Sequence, residues 1–170
     1  MSTVAVWALG RWNADPPATA RLVVAGLALG ISVGAVGFGG AAAALDRTAA
    51  LRWSPLRAGH VVALATVVGG VFVAAQAIGE QLVPNLVIVR NCAGFAGLAA
   101  FGAAFLGTAR GWWLPLGWAL PVALPLPQDT AAMQVLAWPM AESGTAAATI
   151  TAAALAVLGT LTYAIRGYRS

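Results

Sequence analysis

The chain has 170 residues, 61% of them hydrophobic and only 8% charged, with a mean hydropathy of +0.85. Soluble domains carry about 25% charged residues, so this composition excludes a globule with a water-covered surface. It leaves room instead for roughly four to six membrane spans of about 20 residues each. The net charge is +4 and all 9 basic residues are arginine. In so apolar a chain, arginines flank spans and set orientation rather than bind nucleic acid.

Residues 1–21 read as an interfacial or partly ordered segment. Trp7 and Trp12 flank Arg11, a pattern suited to the headgroup layer, and Pro16-Pro17 is read as a stop to any helix. Leu22 to Leu45 is the first expected span. Its glycines Gly26, Gly30 and Gly34 recur every fourth residue, so they share one helix face where another backbone can approach closely.

Asp46 to His60 is a polar island between apolar runs, with Arg47, Arg52 and Arg57. Arginine is retained on the cytoplasmic side, so the island reads as inside. Pro55 disfavours helix at that point. The second expected span is Gly59 to Gly79. His60 stands at its lip, and Gln76 and Glu80 lie one turn apart at its other end.

Pro84-Asn85 is a turn signal. Asn91 to Ala109 is the third expected span, with a possible start near Leu86 that would place Arg90 inside it. An arginine at that depth is either a functional or ion-paired group, with Glu80 as the partner to expect, or a side chain that snorkels to the interface. Gly94 and Gly97 are read as packing positions. Ala93, Gly97, Ala100, Ala104 and Gly107 form a small-residue stripe, with Phe95, Leu98, Phe101 and Phe105 expected toward lipid or a cavity.

Trp112 to Leu126 is the fourth expected span. Pro115, Pro121 and Pro125 interrupt it, so it must bend or break, and its freed carbonyls need partners. Pro115 and Pro121 are therefore candidates for lining a pathway, against a re-entrant or badly bent structural helix. Within the loop that follows, Gln134 to Met140 is apolar and reads as touching the interface. Gly144 to Ile165 is the fifth expected span.

The expected fold is therefore all-α, a single transmembrane domain over residues 1–170 with about five spans. Five spans with the Arg47–Arg57 loop inside put the N-terminus outside and the C-terminus inside. Arg110, Arg166 and Arg169 then also face the cytoplasm, while Arg11, Arg21 and Arg90 face out.

Chemistry is hard to place in this chain. The one cysteine, Cys92, excludes an intramolecular disulfide. The one histidine excludes a multi-histidine metal site or bis-histidine haem within one chain. There is no phosphate-binding GxxxxGK[ST] loop and no GxSxG elbow. No catalytic residue, metal or cofactor is expected, and no nucleic-acid partner.

The order LDRTAALRWSPLRAGHVV, then VRNCAGFAGLAA, then GTARGWWLPLGWALP resembles small actinobacterial membrane proteins associated with ABC transporters of the ABC-2 permease type. Arg90-Asn91, Gly94, Gly97 and Trp113-Leu114-Pro115 carry the resemblance, which spans about residues 45–125. It implies a multi-pass subunit in a bacterial cell membrane that works with a separate ATPase docked on the Arg47, Arg52 and Arg57 loop, with a path between two copies. Such permeases usually have six spans, against five expected here. The rival expectation is a non-catalytic anchor or assembly subunit of a larger membrane complex.

Overall fold

A computed structural model describes residues 16–38, 53–122 and 129–167, with side chains placed for 18–38, 53–120 and 129–167. Arg47 and Arg52 lie outside the described residues. The architecture is an all-α bundle, and no strand occurs among the described residues. We number its helices α1 (Pro16–Ala35), α2 (Trp53–Ile78), α3 (Asn85–Leu106), α4 (Thr108–Gly111), α5 (Trp113–Val122), α6 (Ala131–Leu136) and α7 (Ala146–Arg166). Single 3-10 turns follow α1 at Val36–Phe38 and α6 at Trp138–Met140.

Four helical stretches are long and apolar enough to cross a membrane: Ala18–Phe38, Trp53–Ile78, Asn85–Leu106 and Ala146–Arg166. The protein is a polytopic membrane bundle. Two helix starts differ from the sequence expectation, both for the same reason. Pro16 begins α1 instead of stopping it, and Pro55 lies in the first turn of α2, which starts at Trp53 rather than Gly59. First-turn residues have no intrahelical N–H partner, so proline costs no bond there and its fixed φ suits the helix.

The fourth expected span is described only in part, and its expected end at Leu126 lies outside the described residues. Its helix α5, described over Trp113–Val122, is 10 residues long. Pro115 sits in its first turn and Pro121 near its end.

Helix directions follow from which residues meet. Gly30 faces Val68 and Gly34 faces Leu64, so α1 and α2 are antiparallel. Gly69 of α2 faces Cys92, and Gln76 bonds to the turn that opens α3. Along α3 and α7, Arg90 meets Glu142, Gly97 meets Gly159, and Phe105 meets Arg166. These two helices therefore run parallel, and residues 107–145 must carry the chain back between the two ends. Among the described residues, four full-length helices cross the bundle, and α5 lies on the returning segment between α3 and α7.

The centre of the bundle is α3, whose span is 72% buried, against 22% for α2 and 28% for α7. Its most extensive packing is on α7. Gly97 and Gly159 make this possible, because a methyl on Gly97 would strike the Leu155 carbonyl and one on Gly159 the Gly97 carbonyl. The central position also corrects the expected bulky stripe. Phe95 and Leu98 are buried in the core, while only Phe101 and Phe105 reach the outer surface. After α3 the chain reverses at Gly107, whose φ of 85° is open to glycine at little cost.

Candidate functional site

The most unusual chemistry in the bundle is at the start of α3. Arg90 and Asn91 occupy its second turn and are 7% and 0% exposed. An arginine inside a span is costly unless its donors are met. Here they are met by backbone. Arg90 Nη2 donates to the carbonyls of Trp138 (3.0 Å) and Ala141 (2.6 Å), and Nη1 donates to the carbonyl of Glu142 (3.0 Å). Its Nε reaches Asn91 Oδ1 at 3.4 Å, and Asn91 Nδ2 donates to the Pro139 carbonyl at 2.8 Å.

Those carbonyls belong to the 3-10 turn and the residues just after it. The Trp138 and Glu142 carbonyls also accept from the N–H groups of Ala141 and Thr145, respectively. Carbonyls that end a helical turn carry partial negative charge. Charge and dipole match, so the two side chains staple residues 138–142 to α3. Trp138 completes the contact. It is fully buried, lies 5.1 Å from Phe95 centroid to centroid, and its ring edge fills the space beside Gly94. The expected interfacial stretch Gln134–Met140 is thus partly an insertion into the core, because a Trp-Pro step after α6 turns the indole inward.

The expected Glu80–Arg90 ion pair does not form. Glu80 is exposed in the connection between α2 and α3, while the Arg90 guanidinium points at the 138–142 carbonyls. Gln76, not Glu80, organises that connection. Its Oε1 accepts from the N–H groups of Leu82 and Val83 (both 2.9 Å), and its Nε2 donates to the Val83 carbonyl (3.1 Å) and Asn85 Oδ1 (3.0 Å).

Other expected residues are dispersed. Gly26 is buried, Gly30 and Gly34 lie against α2, Gly94 against Trp138, and Gly97 against the α7 backbone. Pro115 is buried in α5 near the opposite end, and Pro121 lies in the last turn of that helix. Arg57 sits beside Gly167, Arg166 lies 4.8 Å from the Phe105 ring centroid, and Arg110 is exposed after α3. His60 is exposed and meets Phe38 edge-on at 5.7 Å. The described arginines at that end, Arg57, Arg110 and Arg166, form a cationic rim. The exposed Glu80 and Glu142 lie at the other end, the end that Arg21 and Arg90 also occupy.

Two larger cavities are apolar. One, of about 480 Å³, lies between α2, α3 and α7 and is walled by residues such as Val62, Gly69, Cys92 and Ala96. The other, of about 340 Å³, lies between the start of α1, the 83–87 turn and residues 139–143, with Glu142 in its wall. Among the described residues, no three of His, Cys, Asp and Glu stand together as a metal site. Comparison with protein families, curated proteins and solved structures finds no match.

Sequence reading singled out Arg90 and the Arg-Asn pair but missed Gly159, Trp138 and the role of Gln76. The signals were present: a glycine within an apolar span, a Trp-Pro step, and an amide at the end of an apolar run just ahead of a Pro-Asn turn.

Proposed function

We propose that this chain is a non-catalytic, membrane-spanning subunit of a larger bacterial cell-membrane assembly, and specifically the membrane part of an ABC-type exporter that works with a separate ATPase. The observation that carries the subunit reading is how the buried polar groups are used. Arg90, Asn91 and Gln76 spend their hydrogen bonds on fastening the bundle, and the cavities between the helices are apolar. The exporter reading draws on the resemblance of residues 45–125 and on the cationic rim, whose Arg57 continues the Arg47 and Arg52 island where a cytoplasmic ATPase would dock.

The anchor reading has its own support. The tight Gly97–Gly159 contact holds α3 against α7, and Arg90 directs its donors to carbonyls rather than to a polar pathway. Purification in mild detergent followed by mass spectrometry separates the two. Recovery of an ATPase, lost when Arg52 and Arg57 are changed to alanine, supports the exporter. Recovery of another enzyme's subunits, or of this chain alone, overturns it.

A further inference from the structure

Residues 129–145 enter the bundle from one end and are held there in an unusual way. Their grip on α3 combines the buried Trp138 ring against Phe95 and Gly94 with a polar set, the three carbonyl bonds of Arg90 and the one of Asn91. Of α6, Met133, Val135 and Leu136 remain exposed at 37%, 42% and 44%. Only a short stretch around Ala137, Trp138, Pro139 and Ala141 is seated. Trp138 is fully buried, yet its Nε1–H has no hydrogen-bond partner, a cost that seating imposes and lifting relieves.

The surroundings favour movement as a unit. Pro139, Met140 and Ala141 line the 340 Å³ cavity together with residues of α1 and the start of α3, so there is room beside the segment. A turn at Ser143 and Gly144 separates it from α7, and a Cβ on Gly144 would meet nothing within 4 Å. The local turns keep their own backbone bonds, from Gln134 to Thr130, Met140 to Ala137 and Thr145 to Glu142. The segment is also held by the Trp138 seat and by a bond from Trp118 Nε1 to the Leu136 carbonyl (3.0 Å). With bonds of its own and a void beside it, it opens at less cost than the α3 core it covers.

We propose that residues 129–145 are a releasable cap on the end of the bundle where α3 and α7 begin, and that the Arg90 guanidinium is its latch. Closed, the cap covers the Gly94 face of α3. Open, it uncovers that face and frees a cation whose planar fork suits carboxylate or phosphate. The cap is independent of the partner assigned to the subunit.

The test uses the full-length chain in mild detergent with Cys92→Ala, and a cysteine placed by Ala141→Cys in the cap or by Ala99→Cys in the α3 core. Both positions are buried, at 1% and 0% exposed. A charged maleimide is expected to label the cap cysteine at least tenfold faster than the core cysteine. Arg90→Lys keeps the charge but loses the fork, and is expected to raise the cap rate a further tenfold without changing the core rate. Equal labelling of cap and core, or a cap rate indifferent to Arg90→Lys, overturns the proposal. Should a cysteine variant fail to fold, amide hydrogen exchange on the unsubstituted chain replaces it. Ala141 and Thr145 exchanging at least tenfold faster than residues 95–104 supports the cap, and equal rates overturn it.

Discussion

Gln76 shows how one side chain can replace a longer loop. The α2–α3 connection is short, and a short turn at a membrane boundary has backbone groups that helices cannot satisfy. One amide supplies both an acceptor for Leu82 and Val83 and a donor for the Val83 carbonyl and Asn85. Changing Gln76→Leu leaves those groups unpaired at about 1–3 kcal/mol each. We expect a clearly lower unfolding midpoint in detergent, with no change in helical content before the transition, as followed by circular dichroism on heating. An unchanged midpoint would mean that water takes over the role. Arg90 follows the same logic with a full charge. Carbonyl dipoles, not a counter-ion, make its burial tolerable.

Between elements, glycine sets how near two helices come. Gly97 and Gly159 let the α3 and α7 backbones meet with no side chain between them, which is how packing gains energy inside lipid where the hydrophobic drive is absent. Both Gly97→Ala and Gly159→Ala place a methyl against backbone, which cannot rotate away, so each is expected to destabilise by about 1–3 kcal/mol. Gly70→Ala is the control, because a Cβ there meets nothing within 4 Å. It should be neutral or slightly stabilising, since alanine is about 1 kcal/mol the better helix former. Thermal unfolding of the three variants in one detergent checks the ordering. The small-residue face of α1 works more mildly: Gly30 and Gly34 meet Val68 and Leu64 side chains, which can adjust.

For the molecule as a whole, the parallel course of α3 and α7 fixes which residues share an end. Arg57, Arg110 and Arg166 cluster at one end, and Glu80 and Glu142 at the other. The retention of arginine on the cytoplasmic side then predicts the orientation. In a Cys92→Ala background, a cysteine replacing Glu80 is expected to react with a membrane-impermeant reagent on intact cells. One replacing Arg110 should react only after permeabilisation. The reverse pattern would invert the topology and move any cytoplasmic docking surface to the acidic end.

Much of this was written in the chain itself. Low charge and long apolar runs dictate a helical membrane bundle, because backbone in lipid must satisfy its own hydrogen bonds. Runs of that length also mark where α1, α2, α3 and α7 lie. The first three begin a turn or two before the expected starts, and the expected end of the first span lies outside the described residues. The glycines of α1 and α3 advertise close approach, and Arg90 stands out because charge at that depth demands a partner. What periodicity could not say is which partner. The carbonyls that hold Arg90 lie 48 to 52 residues away, on a stretch whose composition suits an interface as well as a core. Nor could local pattern place Phe95 and Leu98 inside: a lipid-facing residue and a buried one are equally apolar. Only the tertiary arrangement, with α3 at the centre and α7 parallel to it, decides which faces are covered and which charges meet dipoles.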